Sequence, residues 1–215
     1  MRILCKTQGT PEWHDVRRGK VTASAARYAL ARAGTLGRLN YIQQLADAIE
    51  GVPNFDDEDD PPWFAEGRYY ESWARGWYAW KQGVEVAETG FIVHDDYSWL
   101  GCSPDGLVGK SGMVELKYRK FLHTFFKHSA AQVNAQVIAQ VQTQMFVCGR
   151  RWNDYVNYWR SDQHEKEKGS VKRIERDDAY IDNTLLPAFV GLWREVQELL
   201  VTRRSRPTTP NRRQK

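Results

Sequence analysis

The 215-residue sequence predicts an α/β (α+β) domain in which a central mixed β-sheet is flanked by helices. Three observations carry that prediction. Residues 39–50, 63–82 and 130–148 repeat apolar side chains with a helical period. Residues 99–118 read as two short apolar runs joined by a Gly/Ser turn, the pattern of a hairpin. Residues 152–160 alternate as a strand does, ahead of a closing helix over 178–202. Helices before and after a small sheet place it between helical layers, and one domain over 1–204 accommodates them all.

Composition narrows the class. No run approaches the roughly 18 apolar residues of a membrane span, and Met1-Arg-Ile-Leu-Cys-Lys-Thr7 lacks the apolar centre of a signal peptide. A cytoplasmic protein without membrane contact is expected. Cys5, Cys102 and Cys148 are odd in number and far apart, which argues against a disulfide framework or an iron–sulfur cluster, and the five histidines show no zinc spacing. The net charge of +4 is mild, but its distribution is uneven. Five acids stand in a row at 56–60, within an exposed loop expected over 51–62. Six basic residues fall among the last thirteen, and the segment 205–215 reads as a disordered basic tail, equally suited to solubilising the chain or following a nucleic-acid backbone.

The elements follow in order. Thr10-Pro11 is an N-cap and a first-turn proline, and Gly19 ends a short helix. Residues 21–24 lead into an alanine-rich helix through about 33, with Ser24 at an N-cap position, and glycines 34 and 37 separate it from the helix over 39–50. In 63–82, Tyr69 or Tyr70, Trp73, Trp77 and Trp80 recur at helical spacing, a stripe expected to face the core. A strand is expected over 84–93, a brief helix over 121–127, and a further strand over 171–176. In 130–148, Val133, Val137, Ile138, Val141 and Met145 form an apolar side, and Gln132, Gln136, Gln140 and Gln144 line the other. The last helix is interrupted at Pro187.

Chemistry concentrates in the hairpin. A strand over 113–118 puts Glu115 and Lys117 on one face and Leu116 on the other, and the turn carries Asp105 to the same end of that face. Two carboxylates are what a hard divalent ion such as magnesium selects. A neighbouring ammonium can orient or help deprotonate the attacking water and steady the charge that develops during phosphodiester cleavage. The same residues would equally suit a turn followed by a solvated charge pair, so the weight comes from the rest of the chain.

Five blocks supply it. Glu12-Trp-His-Asp-Val-Arg17 with Gly19-Lys-Val-Thr-Ala-Ser24, Glu66-Gly-Arg-Tyr-Tyr-Glu71, Cys102-Ser-Pro-Asp-Gly106, Glu115-Leu-Lys117 and Gln140-Val-Gln-Thr-Gln-Met-Phe146 together resemble the lambda-exonuclease (YqaJ-like, alkaline-exonuclease) family of viral recombination nucleases. The matches run in the family's order from about residue 12 to 160. The resemblance implies a restriction-endonuclease-like core that digests linear double-stranded DNA processively from its 5′ ends and leaves a 3′ single strand. It also implies a ring-shaped homotrimer, a single-strand annealing protein as partner, and a phage or prophage origin within a bacterial cytoplasm. Two magnesium ions, with manganese as a substitute, would be held by Asp105, Glu115, the Leu116 carbonyl and Glu71. Lys117 would position or activate the water. Arg17, Ser24, Ser103 and Gln140 match the family's pocket for the 5′-phosphate, with Arg18 the neighbouring alternative to Arg17. Trp63 or Phe64 would supply the wedge that splits the terminal base pair, with simple core packing as the plainer alternative for either. For Glu71, an i,i+4 surface pair with Arg75 is the plainer alternative. A restriction-like endonuclease and a catalytically inactive DNA-binding module are the rival functions.

Overall fold

The computed structural model describes residues 1–52, 62–128, 133–161, 163 and 166–205. Strand β1 (Arg2–Ile3) precedes helix α1 (Pro11–Arg17), whose Thr10 cap accepts the Trp13 N–H at 3.2 Å as the sequence predicts. Strand β2 (Val21–Thr22) runs into a 3-10 turn at Ala23–Ala25 and the short helix α2 (Ala26–Ala29). Two longer helices follow, α3 (Leu36–Ile49) and α4 (Pro62–Gln82). The middle of the chain holds β3 (Val86–Ala87), β4 (Ile92–Val93), β5 (Leu100–Cys102), β6 (Gly106–Val108) and β7 (Gly112–Tyr118). Then come α5 (Leu122–Lys127), α6 (Ala135–Cys148), the ten-residue strands β8 (Trp152–Ser161) and β9 (Lys166–Glu175), α7 (Asp178–Tyr180) and α8 (Leu186–Arg204).

The strands form two mixed sheets. One has the order β1-β4-β5-β2, with only β5 and β2 parallel. The other has the order β3-β6-β7-β8-β9, with only β7 and β8 parallel. Helices flank both, so the α/β class expected from the sequence holds. Alternation along β7 sets the layers: Val114 and Leu116 pack with Ala74 and Tyr78 of α4, while Met113 joins the main core with Ala139, Val141 and Met145 of α6. Among the described residues no helix is long and apolar enough to cross a membrane.

Several expectations need correction. The strand expected over 84–93 is two strands in different sheets. The chain crosses between them at Gly90, where a Cβ would lie 2.6 Å from both the carbonyl oxygen and the sulfur of Cys5. The alanine-rich helix stops at Ala29, because the Arg38 guanidinium takes the carbonyls of Tyr28, Ala29 and Ala31. The aromatic stripe of α4 faces the core only in part: Trp77 packs against it and Tyr70 stacks on Tyr118 of β7, but Trp73 is 41% and Trp80 76% exposed, while Ala74 and Tyr78 are fully buried. A buried tyrosine needs a partner for its hydroxyl, and Tyr78 donates to Asp154 at 2.7 Å. Trp77 lies along β9 over Gly169. The last helix is disturbed just before Pro187, by a π-helical turn at Ile181–Leu185 that absorbs the missing N–H. Helix α6 begins at Ala135, capped by Asn134, and β9 begins five residues earlier than the strand expected over 171–176. The acidic run at 56–60, the tail beyond 205, and the side chains of Trp63 and Phe64 lie outside the described residues.

Candidate active site

Asp105, Glu115 and Lys117 meet where the β6–β7 hairpin faces α6 and the edge of α4. The hairpin register pairs Gly106 with Val114, so one step further Asp105 stands opposite Glu115 on the same face. Position 106 has to be glycine, since a Cβ there would approach Val86 to 2.2 Å. The Asp105 Oδ2 atom accepts the Leu116 backbone N–H at 2.6 Å, which ties the loop before β6 to the strand that carries Glu115.

Glu115 is only 2% exposed. Its Oε1 accepts from Gln140 Nε2 at 2.8 Å and from Lys117 Nζ at 2.5 Å, and its Oε2 accepts from Gln144 Nε2 at 2.7 Å. Leu116 projects to the opposite face and is buried with Ala74, Tyr78 and Val156. Glu71 reaches the site from α4, where its Oε1 accepts from Arg75 Nη2 at 2.7 Å. The i,i+4 pair therefore exists, but it is no surface pair: Arg75 is largely buried, and its Nε donates to the Asp105 carbonyl at 3.1 Å.

Charge is crowded here. Burial, then the neighbouring Glu115 and Glu71, push the Asp105 carboxyl well above the usual carboxylate range. Burial, opposed by Arg75, raises Glu71 as well. The Glu115 carboxylate holds Lys117 above the usual lysine range, so its Nζ stays an ammonium, a donor and not a base.

The four residues matched to a phosphate pocket are brought to one side of this cluster but not into one cavity. Ser24 and Gln140 line a cavity of about 300 Å³ with Thr22, Tyr41 and Asn134. Arg17 lines an adjoining cavity of about 260 Å³ with Lys20, Thr22 and Tyr41, so Thr22 and Tyr41 form the shared wall. Ser103 joins Arg17 through Trp13: the indole Nε1 donates to Ser103 Oγ at 2.9 Å, and the Arg17 guanidinium covers the ring at 3.8 Å. Arg17 Nε is buried without a partner among the described residues, and burial lowers the pKa of that guanidinium. Arg18, the alternative, is half exposed and pairs with Asp15. Ser24 is not the expected N-cap. The chain leaves β2 directly into the 3-10 turn, placing Ser24 in its middle with Oγ 3.0 Å from Thr22 Oγ1, and the residue preceding α2 is Ala25.

The donor set suits a hard divalent ion. Asp105 and Glu115 are adjacent carboxylates, the first buried beside two other carboxylates, and magnesium commonly takes one or two carboxylates and keeps waters in its remaining positions. A closed all-protein cage is absent: no three His, Cys, Asp or Glu side chains among the described residues are disposed to hold a metal by themselves. Glu71, turned toward Arg75, would have to release it to complete the set.

Residues 12–151 match the model of the YqaJ-like viral recombinase domain. The chain belongs to the YqaJ-like viral recombinase family. The fold of this recombinase-family chain is similar to that of an alkaline exonuclease, LHK-Exo, from Laribacter hongkongensis, with TM-score 0.72, 30% identity, and coverage of 91% of this chain and 98% of that one. The same exonuclease in complex with dAMP superposes with TM-score 0.73 at 30% identity over the same shares of the two chains. A phage-related exonuclease from Haemophilus somnus, 12% identical, shares the fold with TM-score 0.65 over 86% of this chain and 96% of its own. Among curated proteins no sequence match was found. Family and structural neighbours together indicate a recombinase-type nuclease.

Sequence reasoning missed Gln144, Tyr41 and Thr22. Gln144 carried a signal, since it stands one helical turn from Gln140 on the same stripe. Thr22 lies inside a matched block, between Lys20 and Ser24. Nothing in the helix over 39–50 marks Tyr41, whose inward direction follows from how α3 docks.

Proposed function

We propose that the chain is a magnesium-dependent exodeoxyribonuclease that digests linear double-stranded DNA 5′→3′ from 5′-phosphorylated ends, leaving 3′ single strands for annealing-type recombination. The observation that carries this reading is the placement of Asp105 opposite Glu115 with the Lys117 ammonium on the same carboxylate. Bound magnesium or manganese would supply a water of lowered pKa and neutralise charge on the scissile phosphate and the leaving 3′-oxygen.

The protein's own groups do the remaining work. Asp105 and Glu115 present ligand oxygens, joined by the Leu116 carbonyl and by Glu71. Lys117, kept charged by Glu115, donates a hydrogen bond to the attacking water or to the developing negative charge. Gln140 gives one amide hydrogen to Glu115 and keeps a second for a ligand in the cavity it shares with Ser24, so the carboxylate and the phosphate pocket are coupled through one side chain. Arg17, with its buried unpartnered Nε, provides the cation for a terminal phosphate. Holding that phosphate beside the carboxylates would confine hydrolysis to the 5′ end and reset the site after each step. Catalysis would be positional and electrostatic. The relative crystallised with dAMP bound a deoxynucleoside monophosphate, the chemical form such hydrolysis releases. A homotrimeric ring around the duplex and a single-strand annealing partner belong to the same proposal and rest on the family resemblance, as does a bacterial cytoplasm as the place of action.

The test is digestion of linear duplex with and without a 5′-phosphate, beside a closed circle, with magnesium present and after its removal by chelation. The expected outcome is rapid loss of the phosphorylated linear duplex alone, no digestion after chelation, and an inactive but DNA-binding Asp105→Ala protein. Lys117→Ala should lower turnover by about 10²–10³-fold. Equal cutting of the circle would favour an endonuclease, and digestion persisting in Asp105→Ala would remove the assigned site.

A further inference from the structure

Glu115 is held from a direction that the reaction itself does not require. Gln144, 1% exposed, donates from Nε2 to Glu115 Oε2 at 2.7 Å, and its Oε1 accepts from Asn153 Nδ2 at 3.0 Å. Asn153 is fully buried on β8, beside Met113 of β7 in the parallel register. The chain of bonds runs from one strand, through a helix, to the neighbouring strand.

Its direction is dictated by chemistry. An ionised carboxylate only accepts, so Gln144 must turn its NH₂ toward Glu115, which leaves Oε1 pointing away and in need of a donor. Asn153 supplies that donor from Nδ2. The cost is visible one atom further on, where Asn153 Oδ1 is buried without a partner among the described residues. A purely structural amide pair has no reason to accept that orphan, whereas a pair that must hold an amide hydrogen on Glu115 does. With Gln140 and Lys117 on Oε1 and Gln144 on Oε2, the carboxylate is fixed in rotation, and among the described residues Oε2 accepts one hydrogen bond of the two it can take.

We propose that Gln144, oriented by Asn153, is a positioning residue that presents the open oxygen of Glu115 to a divalent cation. This rests on the reading of Glu115 as a metal ligand. Groups in the layer behind metal ligands typically change metal affinity or activity by about 10–100-fold when removed.

The experiment measures Mn²⁺ binding to the full chain by the electron paramagnetic resonance signal of free manganese, with the magnesium dependence and DNA KM of linear-duplex digestion alongside. Gln144→Met keeps the side-chain shape and removes the amide, so Mn²⁺ binding should weaken by about 10–100-fold while the DNA KM at saturating metal stays within about twofold. Asn153→Asp is the diagnostic variant. Its carboxylate would accept from Gln144 Nε2 and rotate Oε1 toward Glu115, so it should weaken Mn²⁺ more than Asn153→Ala does. Folded Gln144→Met and Asn153→Asp proteins that bind Mn²⁺ as the wild type does, with only a lower Tm, overturn the positioning role. Glu115→Gln separates the two levels: unchanged Mn²⁺ binding in that variant removes the metal-ligand reading itself, while lost binding there with normal binding in the Gln144 and Asn153 variants removes only the positioning role.

Discussion

Asp105 shows at the scale of one residue what this site costs the fold. Its carboxyl is raised by burial and by two neighbouring carboxylates. A carboxyl raised in the native state contributes stability that is fully present below its unfolded value, near 4, and is lost as pH rises through the native value. At neutral pH the ionised form is therefore a penalty that a bound cation would relieve. Asp105→Asn keeps an oxygen for the Leu116 N–H and removes the charge. In metal-free protein at neutral pH it should raise Tm, by an amount on the order of 1 kcal/mol in stability, and digestion should be abolished. Thermal melts over a pH series check the sign: the variant's advantage should shrink as pH falls toward the carboxyl's unfolded value, because the native wild-type carboxyl protonates before the unfolded one does.

At the scale of an element, helix α4 and strand β9 show how packing overrides a periodic pattern. Trp73, Trp77 and Trp80 of α4 have helical spacing, yet the fully buried positions against the sheet are Ala74 and Tyr78, and of these tryptophans Trp77 alone packs with them. Trp77 is accommodated because position 169 lacks a side chain, and a Cβ there would meet the indole at 2.3 Å. Gly169→Ala should destabilise the protein by about 1–3 kcal/mol. In combination with Trp77→Leu, the loss should be well below the sum of the two single losses, because both act on one contact. Chemical denaturation of the four proteins measures that coupling, and strict additivity would mean that the indole does not rest on the strand. The glutamine stripe of α6 is the converse case. Two of the side chains expected on its polar side turn inward, because a helix packed among both sheets, α2 and the π-helical turn at Ile181–Leu185 has little solvent face and a buried carboxylate needs donors.

For the whole molecule, Arg38 is the joint between the helical layers. It is 5% exposed, and from α3 it bonds Glu195 of α8 at 2.7 Å as well as three carbonyls at and just beyond the end of α2. Glu195 is one-third exposed, so water can meet its charge, but the carbonyls of Tyr28, Ala29 and Ala31 lose their donor, and Arg38→Ala should cost about 1–3 kcal/mol. Its effect on digestion should follow the folded fraction, since it touches none of the site residues. Reduced specific activity of the remaining folded protein would show instead that the α2–α3–α8 layer communicates with the site. The neighbouring 3-10 turn carries Ser24, which makes the alternative a physical one.

The sequence by itself determined the class of fold, most of the helices, the β6–β7 hairpin and the pairing of Glu115 with Lys117. All of these follow from local periodicity and turn chemistry, which a short window contains. Asp105 was legible for the same reason, because a hairpin fixes which residues oppose each other. Only the tertiary structure decided that residues 84–93 divide between two sheets, that Trp73 and Trp80 of α4 face outward while Trp77 packs on β9, and that Ser24 sits within a turn. It alone decided that Gln144 and Asn153 stand behind Glu115. Each of those depends on which surface another element offers, at separations where a residue's own neighbours in the chain carry no record of the partner it will meet.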